Sequence, residues 1–266
     1  MPAAAHLGAM SDPPPEISLP VTALPEAELA MLARRHREAG GALMSLIQLA
    51  GGRAENLLER LPDATKMQLE AATERALTIA AEAALRARGG RLPEGGARLN
   101  TLIAAGMGAA GGAGGLPGAL AELPLTVTFI LRAIQRIAGD EGFDPADPTT
   151  RAACIQVFAA AGPGRADDGG ELGFLAARVT LTGPALSGLI RTVAPRLAAV
   201  LGQKLAAQTV PVLGAAAGAA INYSFTGYYQ EMAAIRFRLA ALARDHALPE
   251  EELRAALLAR IGARAG

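Results

Sequence analysis

A chain of 266 residues suits one large domain or two small ones, and an apolar content of 51% can build a sizeable core. A net charge of zero with no dense basic block argues against nucleic acid as the main partner. One cysteine, Cys154, leaves no intramolecular disulfide and no cysteine-built metal cage.

The apolar content is mostly alanine and glycine, with aromatics at 3% and no tryptophan. Small side chains bury little area each, so close approach of backbones must supplement bulk burial. Lys66 and Lys204 are the only lysines, an arginine bias that reads as a GC-rich, bacterial coding sequence.

The opening stretch, MPAAAHLGAMSDPPPEISLP, has no basic region followed by an apolar one. No secretory leader is visible there, and the expected location is cytoplasmic. Its SDPPPE segment reads as part of a disordered, polyproline-like tail over residues 1–24. Pro25 followed by Glu26 and Glu28 marks a helix start: proline suits the first turn, and acids suit the positive end of the helix dipole. This helix is expected to stop at Gly40-Gly41. Two or three more helices are expected up to Gly89-Gly90, with a break at Pro62. Leu69, Ala72, Leu77 and Ala81, set among Glu70, Glu74, Arg75 and Glu82, give that region an amphipathic face.

No residue from Leu99 to Ala121 is charged, and none from Leu205 to Gln230. Between these runs, Glu122-Leu123-Pro124 reads as the opening of a helix. Thr128, Arg132, Gln135 and Arg136 share one of its faces; Val127, Ile130, Ala133, Ile134 and Ile137 share the other. Glu122 would then sit where the helix dipole favours an anion. Asp147 and Pro148 read as N-cap and first residue of a following helix. The ARVTLT stretch, residues 177–182, is the best strand candidate and is short. A further helix has Pro195 as a candidate kink. The chain closes with two charged amphipathic helices split near Pro249. The expected fold is all-α: a disordered tail at 1–24, one multi-helix domain over 25–245 with a Gly/Ala-rich central helical pair, and a C-terminal amphipathic helix within 246–266.

Gly106-Met107-Gly108-Ala109-Ala110-Gly111 is a literal G-x-G-x-x-G. A dinucleotide site needs a strand before it, a helix opening from it, and an acid about twenty residues later. The GGAGGLPG that overlaps and follows it is a poor helix, since each interior glycine costs about 1 kcal/mol relative to alanine. Glu122 comes too soon. No dinucleotide, no other cofactor and no metal is expected. The charge-free runs meet the length of a membrane-spanning helix, about 20 residues. Their alanine and glycine, and the prolines at 117 and 211, suit close packing in water as well. Peripheral contact and insertion in the inner membrane both stay open. Within the second run, Gly214, Gly218 and Asn222 recur every fourth residue, the spacing at which small residues admit a second backbone. Gly214 and Gly218 are read as a packing ridge, and Asn222 as a buried amide bonded across it.

Catalytic candidates are scarce. His6, His36 and His246 stand far apart, and Cys154 reads as a small core side chain. Asp144 and Asp147 suit turn and cap duties. Arg132 and Arg136 form an anion site or, more simply, a solvated face.

The segments ELPLTVTFILRAIQRIAGDEGFDPADPTTRAACIQVFA and KLAAQTVPVLGAAAGAAINYSFT resemble the EcsC protein family, and the earlier GGRAENLLERLP agrees with it. The resemblance spans about Glu28 to Leu242. Matching motif positions are Glu122, Pro124, Arg132, Pro211, Gly214 and Asn222. Glu141 departs from it, standing where the family often has an aromatic. The resemblance implies a bacterial protein of ill-defined activity, named from an operon that also encodes an ABC transporter. The leading expectation is a non-enzymatic, membrane-proximal accessory protein whose partner is membrane lipid or an ABC transporter. The alternative is a soluble helical enzyme or small-ligand binder with a site near Glu122, Arg132 and Asn222. A third is a structural interaction module.

Overall fold

A computed structural model describes residues 25–49, 62–86, 115–160, 183–208 and 214–262. The fold is all-α. Seven helices are described: α1 (Glu26–Leu49), α2 (Asp63–Arg86), α3 (Gly115–Asp140), α4 (Pro148–Gln156), α5 (Gly183–Gln208), α6 (Gly214–Asp245) and α7 (Glu250–Gly262). A 3-10 turn, Val157–Ala159, extends α4. The strand candidate at 177–182, the tail at 1–24 and the G-x-G-x-x-G stretch lie outside the described residues.

Three boundaries differ from the sequence expectation. Helix α1 runs through Gly40-Gly41 to Leu49. A glycine pair costs about 2 kcal/mol of helix propensity, which does not by itself end a helix. Helix α3 begins at Gly115, so Glu122 and Pro124 lie inside it rather than at its start. The described part of the second run, from Gly214, and the charged segment after it form one continuous helix, α6. Pro195 lies within α5, inside a helix as expected.

Helix ends are built as the local sequence dictates. Asp147 caps α4, its carboxylate accepting from the Thr150 N–H at 2.8 Å, with Pro148 in the first turn. Helices α3 and α6 end in the same motif. Phe143 N–H donates to the Ala138 carbonyl and Leu248 N–H to the Ala243 carbonyl, each reaching back five residues. That closure needs a left-handed residue just before the donor. Gly142 supplies it after α3 with φ 82°, and Ala247 after α6 with φ 52°. Phe143 and Leu248 then fold back onto the core.

Helix α6 is the axis of the fold. It packs against α1, α3, α5, α7 and the 3-10 turn, while α2 packs between α3 and α5. The aromatic residues gather on it. Tyr229 is fully buried, with ring centroids of Phe225, Phe158 and Tyr228 at 5.0, 5.2 and 5.3 Å. Such pairs add about 0.5–1.5 kcal/mol each beyond their burial. The expected apolar faces are confirmed: Leu69, Leu77 and Ala81 on α2, and Val127, Ile130, Ala133 and Ile134 on α3, are buried.

Helix α7 is fixed to this axis by Leu253, Leu257 and Ile261, all buried, and by an ion pair between Arg236 and Glu250. Both partners of that pair are largely removed from water. Deleting one partner of a buried pair strands the other charge. Glu250→Ala is therefore expected to destabilise the chain by about 3–5 kcal/mol in urea unfolding. Ala247→Gly should do the reverse, stabilising by about 0.5–1 kcal/mol, because the left-handed backbone strains a Cβ that glycine lacks.

Candidate functional site

Ion pairs set the directions of the helices. Arg35 on α1 pairs with Glu231 on α6 at 2.8 Å, and Glu28 on α1 with Arg238 on α6 at 3.0 Å. As the α1 number rises the α6 number falls, so the two helices are antiparallel. Arg238 also meets Glu141, just past the end of α3, at 3.6 Å. These partners, the Glu28 hydrogen bond above all, hold the Arg238 guanidinium above its ordinary pKa. The Glu141 carbonyl accepts from Arg244, and Phe143 packs on Phe237 at 5.5 Å. The end of α3 therefore meets the last third of α6, and the two helices run the same way. Where the family resemblance carries an aromatic, Glu141 supplies a carboxylate that Arg238 uses.

This arrangement sorts charge along the long axis. The half of α6 from Glu231 to Asp245 carries Arg236, Arg238 and Arg244, and beside it lie the charged halves of α1 and α3. The other half, Gly214 to Gln230, has no charge. Alongside it, α1 from Ala39 to Leu49 has none either, and α3 from Gly115 to Leu131 has only Glu122. Three uncharged helix halves thus converge at one end of the molecule. Two large apolar side chains there face solvent: Leu125 is 59% exposed and Tyr223 45% exposed. Two others, Met67 and Ile79, are exposed on α2.

The residues singled out from sequence sit as follows. Glu122 is half-buried and accepts a hydrogen bond from the Thr126 hydroxyl at 3.0 Å, one turn on within α3. Its place inside α3 removes the dipole role expected for a first-turn acid. Arg132 lies on the same helix ten residues away, about 15 Å along the axis. The two do not meet. Asn222 is fully buried on α6, as its reading as a core amide requires. Gly214 and Gly218 precede it on that helix at the expected spacing. Asp144 accepts from the Ala146 N–H at 2.8 Å, a turn duty, as Asp147 serves a cap. Among the described residues, no group of His, Cys, Asp and Glu is placed to hold a metal.

Sequence reasoning missed a buried polar set. Thr226, Tyr229, Gln230 and Gln156 are all buried, and each has a side-chain polar atom with no protein partner. Thr226, Tyr229 and Gln230 fall at i, i+3 and i+4. That spacing was legible, but the charge-free composition around it read only as apolar.

Among the described residues, one helix segment is long and apolar enough to cross a membrane: Ala185–Gly202 in α5, with a mean hydropathy of 1.2. It lies outside both charge-free runs, of which residues 99–114 and 209–213 are outside the described residues. Its outward face carries Arg191 and Arg196, both exposed. Nearly half of the segment, 44%, is buried against the other helices.

Helical architecture and a polarised axis define a class of all-α protein built on one long central helix. The EcsC protein family matches residues 45–242, and the chain belongs to that family. No curated protein and no solved structure matches it. Most of α1 and all of α7 fall outside the matched range, and they pack against each other and against α6.

The buried Cys154 is read chemically from its surroundings. Burial pushes its thiol well above its ordinary 9.0, with the nearby Arg236 charge pulling weakly the other way. Burial likewise pushes the Tyr229 phenol above its ordinary 10.0. Below those values neither group makes stability depend on pH. Above them the unfolded chain releases protons that the folded chain keeps, so stability is expected to fall as pH climbs past about 9. Iodoacetamide at pH 8 should leave Cys154 unmodified in the folded protein and label it in urea, as read by mass spectrometry.

Proposed function

We propose that this EcsC-family chain is a non-enzymatic, membrane-proximal accessory protein whose uncharged end rests on a bilayer surface. The observation that carries the reading is the convergence of the uncharged halves of α1, α3 and α6, with Leu125 and Tyr223 exposed there. Charge is costly at a lipid interface and apolar tips are favoured in it, so this end suits the interface and the opposite, arginine-rich end suits water. The exposed arginines of α5 favour a peripheral position over a spanning one. The accessory role is supported by what the polar groups are already doing. Glu28, Glu141, Asp144 and Asp147 are engaged in pairs, turns and caps. Service to an ABC transporter is the partner class that the family resemblance suggests.

Flotation with phosphatidylcholine–phosphatidylglycerol vesicles tests the reading. The full chain should co-float, and the double variant Leu125→Glu, Tyr223→Glu should partition at least about tenfold less, since each apolar tip contributes about 1.5–3 kcal/mol on full burial. Met67→Glu on α2 serves as the control and should float like the parent. Wild type that stays at the bottom of the gradient, or a double variant that floats equally well, defeats the proposal.

A further inference from the structure

We propose that α6 holds an internal site for a small neutral oxygen-bearing guest, built by Thr226, Tyr229 and Gln230. This inference is independent of the membrane reading. The three side chains fall within one helical turn, where residues three and four apart have Cβ atoms about 5–6 Å from each other. Thr226 and Tyr229 are fully buried, and Gln230 is 8% exposed. The Thr226 hydroxyl, the Tyr229 hydroxyl and the Gln230 amide nitrogen find no protein acceptor or donor. A native interior rarely leaves even one such group unsatisfied, and three within a single turn point to one shared partner that is not protein.

The chemistry of the three groups defines the guest. All three donate, and the two hydroxyls also accept. An oxygen with lone pairs to offer therefore satisfies them together. None of the three is charged. The nearest buried charge on the helix, Arg236, lies six residues on, about 9 Å along the axis, and is already paired with Glu250. An ion brought into this site would meet no opposite charge, so the guest is neutral. The rings of Phe158, Phe225 and Tyr228 wall Tyr229 and limit how its hydroxyl can turn. Gln156, two residues before Phe158, is buried as well, and its Oε1 also has no protein partner. The shared chemistry is a neutral oxygen, from an enclosed water or from the carbonyl or hydroxyl of a small organic molecule.

The test reads the full-length chain in two ways. Thr226→Val and Tyr229→Phe each remove one hydroxyl with little change of shape. With a guest bound, each variant loses a bond to it and melts at least about 2–4 °C lower. With no guest, each variant sheds an unsatisfied group and melts at or above the parent, which overturns the proposal. Native mass spectrometry and water-to-protein cross-relaxation NMR on wild type then separate the sources. An adduct mass present in wild type and lost in Tyr229→Phe identifies an organic guest. No adduct, with a long-lived water signal at the Tyr229 hydroxyl, identifies water. Neither signal in wild type overturns the site even if a variant fails to fold.

Discussion

Arg238 holds two carboxylates at once, Glu28 from α1 and Glu141 from the end of α3. With the Arg35–Glu231 pair it sets α1 antiparallel to α6, and it ties the end of α3 to the last third of α6; the separation of charged from uncharged halves follows from that arrangement. Its contribution is register rather than energy. Partly exposed pairs of this kind are worth about 0.2–1 kcal/mol each, whereas full burial of one leucine is worth about 1.5–3 kcal/mol. Burial therefore stabilises the bundle, and the ion pairs select which of several similar packings it adopts. The second pair, Arg35 to Glu231, repeats the same register about two turns along. Reversing either helix would set like charges against each other.

Scarcity of large side chains shapes the interior. With aromatics at 3% of the chain, their placement is consequential. Phe225, Tyr228 and Tyr229 come from α6 and Phe158 from the 3-10 turn, so the turn is anchored at the middle of the central helix. Elsewhere alanine fills the contacts: Ala76, Ala80, Ala138, Ala194 and Ala233 are all buried. Alanine-lined contacts let helix axes come close, and they restrict tolerance to added volume. The same arrangement places three hydroxyl and amide groups inside, where an apolar chain of this composition would not need them. They are the polar feature of the core that stability by itself does not explain.

The family-matched range and the rest of the chain divide the work. The matched range, 45–242, includes α2, α3, α4, α5 and nearly all of α6. Beyond it, most of α1 and all of α7 bring Glu26, Glu28, Arg35, Glu250 and Arg260 to the charged end. Glu28 and Glu250 brace the last third of α6 through Arg238 and Arg236. The flanking helices thus hold in place the charged end of a domain whose opposite end is left apolar.

The sequence by itself determined the helical class, the amphipathic face of α3, the cap at Asp147, the break near Pro249 and the family. Each of these is written in a short window, as a periodicity, a capping residue or a motif, and needs no knowledge of distant residues. Helix lengths were less legible. Gly40-Gly41 read as a stop and Glu122-Leu123-Pro124 as a start, yet α1 and α3 pass through them. Of the candidate site, Asn222 was rightly placed inside, since a lone amide in an apolar run has little choice. Glu122 and Arg132 could be named from the motif but not related to each other. Only the tertiary structure decided that the uncharged halves of α1, α3 and α6 meet at one end. It also decided that Thr226, Tyr229 and Gln230 are enclosed together. Both facts depend on helix direction and register, which are set by pairs such as Arg238 with Glu28, 210 residues away, and with Glu141, 97 residues away, separations that no local pattern encodes.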